Sequence, residues 1–270
     1  MSFKASAQSG GGVETPGTYE FNVKDCFADK KYKGGIKKDS IKPNSIFKGQ
    51  RIWRSISLEN KQNKELLATN NKCVNIGFFE VIKFGLFEMK LNAFMSDDFN
   101  ASEKNRLTEA ELTGLLKIKD TITTVTFDAS GNETTVIKIE SRYLQNTDIK
   151  TYLLKEDWFI NSYSGKLEKR IIAFAPLIYD KKSERIRPVF WLYYREWNEL
   201  LNLFEARNIK DSKRISYAYA LQNQYYFSRI SKQSNIFGRS VKATYNSEAS
   251  MESDVIQGKI NNSESDLYED

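Results

Sequence analysis

The stretch from Lys150 to Trp197 constrains the fold most strongly, because it holds three strand-like runs separated by two charged turns. The first run is KTYLLKEDWFIN, the second is KLEKRIIAFAPLIYD and the third is PVFWLYYREW. The second and third runs are apolar at consecutive positions, which is typical of strands in the middle of a sheet that helices cover. We therefore expect these two runs to form a central hairpin.

Two prolines punctuate this stretch. Proline has no backbone N–H to donate to a ladder, so within sheets it lies at bulges, at edges or at the first position of a strand. Pro176 therefore predicts a bulge or the exit of the second strand. Pro188 predicts the first position of the returning strand.

Another hairpin precedes this stretch, in DTITTVTFDASGNETTVIKIESRYL. Its arms are rich in β-branched residues, and DASGN forms the turn, where Gly131 can adopt a positive φ. Together the runs predict an antiparallel sheet of about four to five strands between Thr121 and Tyr194. Because helix-like segments precede and follow it, the expected fold class is α+β, a sheet flanked by helices.

Apolar residues at helical spacing mark the flanking segments. The strongest pattern predicts a helix over Val74–Phe94. Gly85 in the interior of this helix lowers its stability by up to about 1 kcal/mol. Thr108 and Glu111 have the spacing of a capping box, which predicts the start of a short helix. REWNELLNLFEARN predicts an amphipathic helix, and SKRISYAYALQNQYYFSRISKQ predicts another with Ser212 as its N-cap. The segment RIWRSIS fits either a short helix or the start of a strand.

Composition divides the chain into three parts. Residues 1–45 are basic and poor in apolar anchors, which indicates a flexible arm. Residues 46–247 form the expected α+β domain. Residues 248–270 carry seven acidic residues against Lys259 alone, so this tail has a charge of −6 and the remainder +12. The tail can fold back on its own body, contact a basic partner or remain solvated, although Met251–Ile260 fits a marginal helix.

The chain contains no histidine. This absence excludes Ser-His-Asp and Cys-His catalysis and every histidine-based metal site. The two cysteines, Cys26 and Cys73, cannot form a structural zinc site by themselves; they are either unpaired or joined in a disulfide. Asp97 and Asp98 lack the alternating oxygen ligands and the turn glycine of a calcium loop. We expect neither a metal nor another cofactor.

Two function classes remain open beside a structural one. A basic body rich in tyrosine is compatible with nucleic-acid binding, although the tyrosines already fit core or half-buried positions. The densest basic cluster, which includes Lys30, Lys31 and Lys33, fits a solvated or docking arm. Adjacent carboxylates could serve a hydrolase, but a chain with 35 acidic residues contains such pairs by chance.

The N-terminal sequence MSFKASAQSGGG has no hydrophobic signal core. Its small-residue pattern resembles the region around a signal-peptide cleavage site, which fits a mature exported chain that carries a residual or added leader. No apolar run approaches the about 18 residues that a membrane-spanning helix needs, so we expect no membrane span.

The order of motifs resembles the GldN/PorN family of gliding-motility and type IX secretion proteins of Bacteroidetes. The resemblance covers about Phe47 to Asp270. It rests on RIWRSISLENKQN, DTITTVTFDASGNETT, KEDWF, RIIAFAPL, PVFWLYY, ISYAYALQNQYYFSRISKQSNIFGRSV and the closing DLYED. The collinear order of these segments carries more weight than any one of them.

The resemblance implies a structural protein without enzymatic activity, exported to the periplasm beneath the outer membrane after removal of a signal peptide. It also implies rings built with a GldK/PorK-like lipoprotein and contact with the periplasmic region of GldM/PorM. Aromatic and cationic side chains concentrate binding energy at interfaces. We therefore predict partner contacts at the arm lysines and at Trp158, Phe159 and Tyr163, with Trp158 as a core residue the alternative.

Overall fold

The sheet is organised about β4 (Ile149–Asn161), which pairs antiparallel with β1 (Ile46–Ser57) on one side and β5 (Leu167–Asp180) on the other. The computed structural model describes residues 46–68, 76–98, 105–127, 133–181, 183–207, 214–234 and 249–262. Beyond β1 lies β10 (Arg229–Gln233), while β6 (Arg185–Pro188) and β7 (Leu192–Tyr193) pair with β5. The prediction of an α+β fold with an antiparallel sheet is confirmed.

The membership of the sheet differs from the prediction. The first hairpin, β2 (Lys117–Phe127) and β3 (Glu133–Tyr143), forms a separate two-stranded sheet, as do β8 (Glu205–Arg207) and β9 (Arg214–Ser216). The six-stranded main sheet instead recruits β1 and β10 from outside the predicted segment. Local patterns show which residues are extended, but long-range register decides which strands share a ladder. The turn DASGN with Gly131 lies outside the described residues.

Helices cover one face of the main sheet, around Phe78. Its ring centroid lies 4.9–5.7 Å from those of Tyr152, Phe174 and Tyr217. The described helices are α1 (Lys61–Leu67), α2 (Phe78–Phe87), α3 (Glu109–Leu116), α4 (Tyr194–Leu203), α5 (Tyr217–Gln222) and α6 (Ala249–Asn262). Ala173 and Ala175 on β5 belong to a smaller cluster with Phe94 and Trp191. Small side chains on β5 let these aromatic rings approach the strand closely.

Helix α2 is shorter than predicted and is buried all round. It ends at Phe87 rather than Phe94, because Lys90 adopts a left-handed backbone with a φ of 55° and the Leu91 N–H then bonds back to the Gly85 carbonyl at 3.0 Å. Positive φ is a common way to end a helix. Glu80 and Lys83 are both buried, and the Lys83 ammonium lies 2.8 Å from the Glu80 carboxylate.

The returning strand also differs from the prediction. β6 begins at Arg185 within the segment expected to be a turn, and Pro188 is its last residue rather than its first. Pro176 causes no exit, because β5 continues to Asp180 with Pro176 opposite Tyr152. The Pro176 carbonyl accepts from Val189 N–H at 2.9 Å, where the neighbouring strand changes from β6 to β7. In an antiparallel ladder the N–H and C=O of one residue face the same neighbouring strand. The N–H that Pro176 lacks would therefore face the break between β6 and β7, where the ladder is already interrupted.

Some of the other predicted element boundaries are confirmed and others are wrong. The capping box of α3 is confirmed, with Thr108 Oγ1 accepting from Glu111 N–H at 3.3 Å and Glu111 accepting from Thr108 N–H at 2.8 Å. The helix near Met251–Ile260 is confirmed as α6. The helix expected after Ser212 is instead β9, α5 and β10, and Ser216 caps α5; Ser212 itself lies outside the described residues. RIWRSIS belongs to β1.

Gly85 marks a close contact between α2 and α4. A Cβ on Gly85 would lie 2.4 Å from Trp197 Cζ3 and 2.8 Å from Leu200 Cδ2, both on α4, whereas a Cβ on Gly114 of α3 would meet nothing within 4 Å. We expect Gly85→Ala to lower the free energy of unfolding by about 1–3 kcal/mol through overpacking. Gly114→Ala, the matched control, should raise it by up to about 1 kcal/mol through helix propensity. Urea titrations of both variants measure this, and equal effects would contradict it.

Candidate interaction surface

The three aromatic residues predicted to contact a partner differ in exposure. Tyr163 lies in the β4–β5 turn and is 76% exposed, whereas Phe159 is 1% exposed and Trp158 is half-buried. Trp158 and Phe159 are consecutive on β4 and therefore point to opposite faces of the sheet. Of the three, only Tyr163 presents most of its side chain to solvent. Lys30, Lys31, Lys33, Cys26 and Cys73 lie outside the described residues.

The turn that carries Tyr163 is fixed by hydrogen bonds. The Asn161 side chain accepts from Tyr163 N–H at 2.9 Å and donates to Glu168 at 2.8 Å. The Asn161 carbonyl accepts from Gly165 N–H at 2.8 Å, and Gly165 has a φ of 65°, which suits a residue without Cβ. A fixed backbone lowers the entropy that an aromatic residue loses on binding. This turn therefore presents Tyr163 in a preorganised position.

A row of charges crosses three strands beside this turn. Asp157 of β4 is paired in register with Arg51 of β1 and Arg170 of β5. Arg51 binds Asp157 through two contacts of 2.6 and 2.9 Å, and Arg170 donates to it at 3.1 Å. Burial opposes ionisation of Asp157, but the two guanidinium groups outweigh it and hold its pKa below the usual value. The row therefore stays charged, with one net positive charge, near neutral pH.

A buried polar layer lies on the opposite face of the same strands. Glu156 is fully buried and accepts from Arg54 Nε at 3.1 Å and from Trp158 Nε1 at 2.9 Å. A buried carboxylate is costly unless it is paired and hydrogen-bonded. The indole N–H of Trp158 thus satisfies an internal acid, which explains the half-buried position of this ring. The predicted role of Trp158 in partner contact stays a prediction.

Arg54 also holds the C-terminal helix. Its Nη2 donates to Gln257 of α6 at 2.7 Å, and Ser253 of α6 accepts from Ile230 N–H at 2.9 Å. Ile256 and Ile260 of α6 bury themselves in a small cluster. The other buried members of this cluster are Ile52 and Ile230. Residues 249–262 of the acidic tail therefore fold back on the body; the domain boundaries stay a prediction.

Lys169 of β5 lies beside this polar layer. Its ammonium donates to the Leu221 carbonyl at 3.3 Å and lies 5.9 Å from the centre of the Trp158 ring. Burial lowers the pKa of Lys169 to about 8, although Glu156 partly opposes this shift. Sequence analysis missed Arg54, Glu156 and Lys169. An unambiguous assignment of β1 as a strand would have pointed to these residues, because β1 places Arg54 on the sheet face that Glu156 occupies.

The carboxylate of Asp97, considered above for a cation site, interacts with donor groups of the protein itself. It accepts from Trp53 Nε1 at 2.8 Å and lies 3.2 Å from the Lys155 ammonium. Burial opposes ionisation, but these donors and the nearby Lys232 hold its pKa below the usual value. Within the described ranges, three or more candidate metal-ligand side chains do not come together. In the part of the chain that the structure describes, helices of the length and apolarity needed to span a bilayer are absent.

The depressed pKa of Lys169 predicts a pH-dependent stability. Between pH 8 and the unfolded value of 10.5, the unfolded state binds more protons at this site, so the free energy of unfolding rises with pH. We expect Lys169→Met to remove a rise on the order of 1–2 kcal/mol between pH 7.5 and 9.5. Lys166→Met, at the β4–β5 turn, is the control. Denaturant titrations at both pH values measure it, and an unchanged rise in Lys169→Met would refute the assignment.

The Arg54 network predicts a graded response to truncation. Arg54→Ala leaves Glu156 buried without its cation and should cost about 3–5 kcal/mol of unfolding free energy. Gln257→Ala removes one charge-assisted hydrogen bond and should cost about 1.5–3 kcal/mol, with faster hydrogen exchange concentrated in α6. Asp254→Ala, an exposed change on the same helix, is the control and should be nearly neutral. Equal exchange rates in Gln257→Ala and the parent would contradict the anchoring role.

Comparison with known proteins identifies the family. The sequence profile described as "Gliding motility associated protein GldN" matches residues 41–269, which is nearly the whole chain. A search of curated proteins found no match. The family match agrees with the resemblance seen in the motif order and includes the described strands and helices. The chain therefore belongs to the GldN family of gliding-motility-associated proteins, components of the gliding and type IX secretion machinery.

Proposed function

We propose that this protein is a non-catalytic structural subunit of the type IX secretion and gliding machinery. It acts in the periplasm at the outer membrane, forms rings with a GldK/PorK-like lipoprotein and contacts the periplasmic region of GldM/PorM. The observation that carries the proposal is the family match over residues 41–269. Because that match includes the sheet, its helices and α6, the proposal concerns the folded body of the chain as a whole.

The use of charge in the described residues supports a structural role. Glu156 of β4 accepts from Arg54 of β1. Asp157 of β4 accepts from Arg51 of β1 and Arg170 of β5. Asp97 accepts from Trp53 of β1 and lies against Lys155 of β4, so all three carboxylates join separate elements of the fold. A general acid at neutral pH needs a raised pKa, whereas the pKa values of Asp157 and Asp97 are lowered. These carboxylates serve as connectors between strands and loops.

The preorganised turn supplies a contact point for a protein partner. Tyr163 is an exposed aromatic residue on a fixed backbone, and the Arg51–Asp157–Arg170 row lies on the same end of the sheet. Tyrosine and arginine dominate the energetics of many interfaces. We assign this end of the sheet to contact with the lipoprotein.

The test is binding of the full chain to a purified GldK/PorK-like lipoprotein. We expect Tyr163→Ser to raise the dissociation constant by at least about tenfold, because it removes an exposed aromatic anchor. Tyr179→Ser is the matched control: it removes a tyrosine that is 49% exposed and lies about 40 Å along β5 from the turn. Calorimetry measures affinity, and electron microscopy of the mixture shows whether rings form.

Three outcomes would count against the proposal or against the contact assigned in it. Absence of a complex at tens of micromolar protein would remove the lipoprotein as a direct partner. Salt-sensitive binding to a DNA or RNA fragment, steeper than binding to the lipoprotein, would favour the nucleic-acid alternative instead. Equal losses in Tyr163→Ser and Tyr179→Ser would move the contact away from the β4–β5 turn.

A further inference from the structure

The β2–β3 hairpin is a long two-stranded sheet that stands apart from the main sheet. Its ladder runs from the Lys117–Tyr143 pair to the Phe127–Glu133 pair, with 11 residues in each strand. At about 3.3 Å per residue, each strand is about 35 Å long. Isolated two-stranded hairpins are at best marginally stable in water, and three or more strands are normally needed. Within the described residues, this hairpin pairs with no third strand, although its length calls for one.

The base of the hairpin is anchored to the body. Leu116 and Leu144, which flank the two strands, are buried in the main core and joined by a 2.8 Å backbone hydrogen bond. Ile118 and Tyr143 pack against that core. Further along, Val125 is 51% exposed. Among the described strands, β2 pairs with β3 alone, so no described strand pairs with its outer edge.

The two edges of the hairpin differ in charge. β2 has no charged residue in the seven positions Thr121–Phe127, whereas the seven residues opposite them on β3, Glu133–Ile139, include Glu133 and Lys138. Charged residues, lysine above all, protect strand edges from pairing with other chains. An uncharged run of β-branched residues without proline has the composition of a segment that pairs with further strands. The unprotected edge is therefore that of β2.

The described edges of the main sheet show the contrasting design. β6 is four residues long and contains two arginines and Pro188. β10 is five residues long, carries Arg229 and Lys232, and packs against α6. Short strands, basic residues, proline and a covering helix are the usual means of blunting an edge. β2 is longer than either, and its Thr121–Phe127 run contains no basic residue and no proline.

We propose that β2 of one copy pairs antiparallel with β2 of a second copy about a two-fold axis at Thr123. The two hairpins then form one four-stranded sheet, which meets the strand number that independent stability requires. This register places Thr121–Val125 opposite itself and brings no like charges together between Lys119 and Phe127. The contact is isologous, so it closes as a dimer.

A cysteine scan of the full chain tests the register. In a Cys26→Ser, Cys73→Ser background, single cysteines replace Thr121, Thr123 and Val125 on β2 and Thr134 and Thr135 on β3. Under mild oxidation we expect the disulfide-linked dimer to be most abundant for Thr123→Cys, because only that position faces itself across the axis. The two β3 variants should give at least about tenfold less. Equal yields on β3, or background yields throughout, would overturn the proposal.

A matched pair of lysine substitutions tests the edge assignment. Thr123→Lys and Thr134→Lys change composition and net charge identically, but only the first places two like charges face to face across the axis. Sedimentation equilibrium should show at least a tenfold larger dimer dissociation constant for Thr123→Lys and no change for Thr134→Lys. Equal thermal midpoints of the separated monomers establish that both variants fold.

The outcome that rejects self-association is equally direct. A parent chain that stays monomeric up to about 100 μM, or a dimer that Thr123→Lys leaves intact, would overturn pairing between copies. If β2 amides are protected from hydrogen exchange only when another protein is added, that protein, rather than a second copy of this chain, pairs with the β2 edge. The proposal does not rest on the lipoprotein contact, because binding through Tyr163 and dimerisation through β2 are measured separately.

Discussion

Antiparallel pairing of β4 with β1 and β5 over almost its whole length is the constraint on which the rest of the structure depends. Residues of β4 alternate between the two faces, and both faces are covered. Tyr152 and Leu154 enter the helix-covered core, whereas Leu153 packs with the cluster on the other face. A strand buried on both sides needs all its backbone groups paired, because an unpaired buried amide is costly. The neighbours of β4 are therefore fixed, and the helices pack where those neighbours leave space.

The charged residues near β4 serve two different purposes. Asp157, between Arg51 and Arg170, stays partly accessible and keeps a charged row at the surface. Glu156, the preceding residue, is fully buried and joins β1 and Trp158. Through Arg54 the same network reaches Gln257 on α6, about 200 positions along the chain. Buried pairs of this kind add little net stability, but breaking them is costly, so they select one arrangement of α6.

The two proposed contact regions differ in how firmly the rest of the fold holds them. Tyr163 lies on a turn that is braced by its own hydrogen bonds and by two long strands of the main sheet. The β2–β3 hairpin is anchored to the body at its base, and in the part of the chain that the structure describes no further strand pairs with it. A rigid contact suits a fixed relation between subunits, whereas a projecting hairpin can reach a neighbour. Together they would let one fold bind two partners without competition between them.

The sequence by itself determined the fold class, the family, the strand character of the Lys150–Trp197 stretch and the capped start of α3. These features depend on side-chain period, on motif order or on a local Ser/Thr–Glu spacing. Tertiary structure alone decided that β1 and β10 complete the main sheet and that β2–β3 stands apart. It also decided that α2 ends at Phe87 and that Glu156 meets Arg54. The physical reason is that hydrogen bonds between strands and the pairing of buried charges join residues far apart in the chain, where no local pattern records the partner.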